Sequence, residues 1–177
     1  MQNSSQNEKP EKTNASTDQM KVSDISEQKM SSENSNQGLK PILTWDQYLS
    51  NVTNPAFRQS IDAFCKRWID EIDDSINIGQ VGFTAGLLSD GRRIPIQWVF
   101  DSKICIILEG VVKNFNIPDN LYRDYLIDLK QSADLYDKFI ASGKRDVKFS
   151  SIDVQMLNII LNSSLKLAKR FKETVNL

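Results

Sequence analysis

Apolar positions alternate with polar ones on both sides of Asp90-Gly91, whereas from Pro41 onward the rest of the chain repeats at the three-to-four spacing of a helix. Asp-Gly between alternating runs is a strong hairpin signal, because a tight type I′ turn needs positive φ at both central residues. A two-residue loop sets Leu87 opposite Ile94, Ala85 opposite Ile96, Phe83 opposite Trp98 and Val81 opposite Phe100. All eight are apolar and share one face, as the strand period of two requires. The second face then carries Gly82, Thr84, Gly86 and Leu88 on one strand, with Arg93, Pro95, Gln97 and Val99 on the other.

Helix signals surround this hairpin. Thr44-Trp45-Asp46-Gln47 has the form of a capping box and predicts a short helix to about Asn51. Asn54-Pro55 starts the next helix, with Asn as cap and Pro at the first helical position. Phe57, Ile61, Phe64, Cys65, Trp68, Ile72 and Ile76 line one side of it, and Arg58, Gln59, Asp62, Lys66, Asp70 and Asp73 the other. Asp101 is placed to cap a helix bearing Ile104, Ile107, Leu108, Val111, Val112 and Phe115. The β-branched residues there make a third buried strand the rival reading. Pro118-Asp119 opens a helix to about Ser142, closed by Gly143 in a left-handed conformation. Ser150 is placed to cap the last helix, with Asp153 at its third position. That helix is apolar on nearly all sides from Ile152 to Leu161, which predicts a central position, with its basic end at the surface.

Composition divides the 177 residues unequally. Residues 1–40 are built mostly from Ser, Asn, Gln, Glu, Lys and Thr, with no aromatic side chain and apolar ones scattered singly (Met20, Val22, Ile25, Met30), too polar to offset the entropy of ordering, and are expected to be a disordered tail. Residues 41–177 suffice for one domain with a real core. The expected fold is therefore mainly α: a single helical domain of about five helices with one inserted β-hairpin at about 80–100, preceded by a disordered N-terminal tail. The formal net charge of −1 gives no global field toward nucleic acid or an anionic membrane. No apolar run approaches the ~18 residues of a membrane span. The first residues are polar and resemble no export signal, which predicts a cytoplasmic location. Cys65 and Cys105 both fall on apolar stripes and are expected to be reduced, buried thiols.

Candidate chemistry is sparse. The chain has no histidine, which removes the Ser-His-Asp and Cys-His nucleophile systems and the common zinc sites. There is no Cys-x-x-Cys, and no glycine-rich loop is followed by Gly-Lys-Ser/Thr. The expectation is a protein that is not an enzyme, with no cofactor and no metal. Asp70 and Asp74 lie four apart on a helix, where two carboxylates face one side, so a metal-dependent enzyme is a remote third reading. The leading expectation is a protein-interaction module: an adaptor, chaperone-like or assembly protein. It would bind another protein, or a second copy, through Gly82, Thr84, Gly86, Leu88, Arg93, Pro95, Gln97 and Val99, with the tail as a tether. The basis is that this hairpin face carries only one charge, Arg93, where a solvent face normally carries several. The alternative is a coat-type, self-assembling protein contacting nucleic acid. Its contacts would be Lys144, Arg145 and Lys148 in a loop and Lys166, Lys169, Arg170 and Lys172 on the last helix, with Tyr136 or Phe149 available for stacking.

Overall fold

The computed structural model describes residues 43–72, 76–89 and 91–175. The tail expected over residues 1–40 lies outside them, as do Asp73, Asp74 and Asp90. Helices α1 (Trp45–Asn51) and α2 (Pro55–Ile72) come first. Strands β1 (Ile76–Ile78), β2 (Gly82–Ser89), β3 (Arg92–Phe100) and β4 (Lys103–Cys105) follow. Then come α3 (Glu109–Asn114), α4 (Asp119–Leu129), α5 (Ala133–Leu135), β5 (Asp146–Lys148) and α6 (Val154–Val175). The five strands form one antiparallel sheet in chain order.

This corrects the mainly-α expectation. Among the described residues there are six α-helices and a five-stranded sheet, not helices with one hairpin. β1, β4 and β5 are three residues each, too short to show a period of two. The expected helix from Asp101 divides. Lys103–Cys105 is a strand, where the β-branched rival reading holds, and helix begins only at Glu109. The helix expected from Asp119 to Ser142 is interrupted after Leu129. Ser132 Oγ accepts from Leu135 N at 3.2 Å and restarts it. α5 runs into a wide turn over Tyr136–Ile140, with Ala141 N bonded to Tyr136 O. Gly143 closes it at φ 66°.

Other local signals hold. Gln47 N donates to Thr44 Oγ1, and Thr44 N donates back to Gln47 Oε1. Ala56 N and Phe57 N donate to Asn54 Oδ1. The last helix is capped by Asp153, whose Oδ1 accepts from Met156 N at 2.8 Å, and not by Ser150, which lies in a 3₁₀ turn.

The hairpin register is correct only near its turn. Ser89 pairs with Arg92 and Leu87 with Ile94, across a connection in which Gly91 has φ 74°. Between Ala85 and Gly86 the register shifts by one residue. Ala85 then pairs with Gln97, Phe83 with Val99 and Gly82 with Phe100. Val81 lies outside the strand and is 51% exposed. The extra residue, Ile96, sits next to Pro95, which has no N–H to give to a ladder. A bulge adds one residue to one strand, so side chains beyond it change faces. Ile94, Ile96, Gln97 and Val99 therefore face the core, while Pro95, Trp98 and Phe100 face outward.

The helices cover the core face. Trp45, Tyr48 and Phe64 set their rings around Phe83 at 5.3 to 6.5 Å between centroids. α6 packs against α2, α4, β2 and β3, which gives it the central position its apolar sequence implies. At that contact Ser164 Oγ donates to Gln97 Oε1 at 2.6 Å, and both residues are fully buried. Gln97 Nε2 donates to the carbonyls of Trp98 and Cys105, both at 2.9 Å. Ile107 N donates to the buried Tyr125 hydroxyl at 3.2 Å. Leaving one such group unpaired in a core costs about 1–3 kcal/mol. Gln97→Leu is expected to lower stability in urea by about that amount. Ser164→Ala should cost less in the Gln97→Leu background than alone, a coupling that a double-mutant cycle measures.

Candidate docking face

The face of the sheet turned away from α2 and α6 is the candidate site. Asn77 of β1, then Thr84 and Leu88 of β2, lie on it. β3 contributes Arg93, Pro95, Trp98 and Phe100. Lys103 and Cys105 come from β4, and Asp146 and Lys148 from β5. Leu88 is 55% exposed at the hairpin end, and Thr84, Arg93, Pro95, Trp98 and Phe100 are half-buried.

Two of the eight residues expected here do not belong to it. Gln97 and Val99 lie on the core face with no exposed surface. Trp98 and Phe100 take their places, and Lys103, Cys105, Asp146 and Lys148 extend the face across strands that periodicity did not reveal. The signal that finds Trp98 and Phe100 is Pro95: a proline inside a strand marks a bulge, and everything after a bulge changes side. Gly82 and Gly86 are on the face but are packed against β3. A Cβ on Gly82 would meet Val99 O at 2.2 Å and Phe100 Cα at 2.8 Å. A Cβ on Gly86 would meet Ile94 O at 2.7 Å. The glycines thus let two backbones approach closely.

Cations sit over the two outward rings. Arg145, in the loop entering β5, places its guanidinium carbon 4.5 Å from the Trp98 ring centre. Lys103 Nζ lies 4.9 Å from that of Phe100. Lys103 and Lys148 are directly opposite each other on β4 and β5, an unfavourable like-charge pair. Asp146 relieves it by accepting from Lys103. That bond holds the Asp146 carboxyl below its usual range and raises the Lys103 ammonium. The Cys105 thiol donates to the other Asp146 oxygen at 3.3 Å. Burial first, and this bond second, push the Cys105 thiol up to about 11. Burial also pushes the Cys65 thiol well above its ordinary value. Both thiols are free and buried.

The two basic clusters have different fates. On α6, Lys166 pairs with Asp128 at 2.8 Å and Lys169 with Glu71 at 3.7 Å. Arg170 pairs with Asp124, and Lys172 donates to the Ile72 carbonyl. These four cations tie α6 to α4 and α2. Of the loop cluster, Arg145 lies over Trp98 and Lys148 stands opposite Lys103, with Asp146 bonded to Lys103, while Lys144 donates its backbone N–H to Phe139 O. Phe149 packs edge-on against Phe57, and Tyr136 lies under Lys130. A cleft of about 520 Å³ opens beside Lys103 and Lys148, lined also by Asn51, Thr53, Asn54 and Ser150. Asp70 is exposed on α2, and its expected metal-binding companion Asp74 lies outside the described residues. Among the described residues no helix is long and apolar enough to cross a membrane.

No protein-family model, curated protein or solved structure matches this chain.

Gly82→Ala is expected to destabilise the fold by about 1–3 kcal/mol in chemical denaturation, because the β3 backbone must move to admit the methyl group. Cys65 and Cys105 should resist iodoacetamide at about pH 7.5 in the folded chain and react once urea unfolds it, since only the thiolate attacks. Labelling of either cysteine before unfolding, read by mass spectrometry, would contradict the packing described.

Proposed function

We propose that this chain is a non-catalytic docking module that holds a macromolecular partner on the open face of its sheet. One observation carries the reading: Trp98 and Phe100 project from that face, each with a cation over its ring. Tryptophan and arginine are the residues most enriched where binding energy concentrates. A wet sheet face ordinarily alternates polar side chains outward against apolar ones inward. Here large rings are on the outside, although the domain has an apolar core of its own to hold such side chains. The sheet behind the rings is stiffened by the buried Gln97 amide and by the close approach of β2 and β3, so the face is largely formed before a partner arrives.

Retention of material from a native extract on the immobilised full chain tests this. Trp98→Ala and Arg93→Glu are each expected to reduce by about tenfold what the wild type retains. Asp70→Asn on α2 should leave retention unchanged. Equal retention by all four proteins would remove the open face from consideration.

A further inference from the structure

We infer that the occupant of the open face is a single-stranded nucleic acid, its bases stacking at Trp98 and Phe100 and its phosphates held by the flanking cations. The inference rests on the docking reading above and adds the chemistry of the partner. Trp98 and Phe100 are two residues apart on the outward side of β3, hence about 7 Å apart along the strand. Two successive bases of an extended strand fit that step, and base-on-ring stacking works for any base because each has a π face. A paired duplex hides those faces inside its own stack.

Charge points the same way. The chain as a whole carries a formal −1, yet among the described residues Lys103, Arg145 and Lys148 gather beside the two rings, with Asp146 bonded to Lys103. Arg145 sits where it can stack on a base above Trp98 and still reach a phosphate. Lys148 stands opposite Lys103 across two paired strands, a like-charge placement that a phosphate beside the cleft would relieve. A second copy of this chain is disfavoured as the occupant, because two such faces would bring like charges together. An acidic peptide would use the cations without supplying a planar ring beside Trp98 and Phe100 as each base does.

The test is fluorescence anisotropy of a labelled oligothymidylate titrated with the full chain at salt from about 50 to about 200 mM. The expected result is binding that weakens as salt rises. It should also weaken about 5- to 100-fold in Trp98→Ala and recover in Trp98→Phe, with thermal melts confirming that each variant folds. Arg145→Glu combined with Lys148→Glu should weaken binding and flatten the logarithmic salt slope by about 0.7 for each phosphate no longer neutralised. Three results would overturn the inference: no binding at the lowest salt, equal affinity for a duplex of the same length, or affinity unchanged in the face variants. If the oligonucleotide fails while those variants still lose a protein retained from extract, the docking reading stands and its partner is a protein. If the variants lose nothing in either experiment, both readings fall.

Discussion

A buried amide sets the terms for the rest of this structure. Gln97 has no exposed surface, and an amide in a core must find partners for its oxygen and its nitrogen or destabilise the fold. It finds the Ser164 hydroxyl on α6 and the carbonyls of Trp98 and Cys105. That set is reached only because β3 carries one residue more than β2 between Pro95 and Gln97. Without the bulge, Gln97 would point outward and Trp98 would enter the space now lined by Trp45, Tyr48 and Phe64 around Phe83. One hydrogen-bonding requirement thus joins sheet to helix and also sends Trp98 and Phe100 outside.

α6 is the axis on which the other elements are aligned. Its buried side, including Leu157, Ile160, Leu161, Leu165, Ala168 and Phe171, belongs to the common core, and burial of such side chains contributes roughly 1.5–3 kcal/mol for each large one. Its exposed cations reach Asp124 and Asp128 on α4 and Glu71 on α2. Surface pairs of this kind contribute about 0–1 kcal/mol each, so they orient the helices more than they hold them. They also occupy charges that would otherwise form a basic patch at this end of the molecule.

The loop before β5 is the opposite case. Its Arg145 lies over a ring, and Lys148, on β5 itself, faces another lysine. Asp146 is the acid placed between them, and it serves Lys103 and Cys105 together. Lys103, Arg145 and Lys148 outnumber Asp146 at this corner of the sheet, which makes it cationic among the described residues. On the proposed reading, rings and positive charge then share one surface on a sheet that needs no rearrangement to present them. The bulge that satisfies the core is what makes that surface available.

Local chemistry was legible from residues alone wherever the cause is local. The capping box at Thr44, the Asn54-Pro55 start, the connection at Gly91 and the left-handed Gly143 each depend on neighbours within a few residues. So did the amphipathic stripe of α2 from Phe57 to Ile72, although Ile76, expected on that stripe, opens β1 instead, and so did the centrality of α6 and the pairing of Leu87 with Ile94. The three-residue strands were not legible, because pairing with a partner distant in sequence, and not periodicity, makes them strands. Nor was the part of the face beyond Pro95: Gln97 and Trp98 exchange faces through a bulge at which Gln97 bonds Ser164, 67 residues away. Where α1 and α2 begin and where the hairpin turns could be read from neighbouring residues, since both follow from φ preferences and capping bonds, whereas α6 starts at the Asp153 cap and not at Ser150. Which side of β3 meets water could not, because that depends on what a buried amide finds across the core.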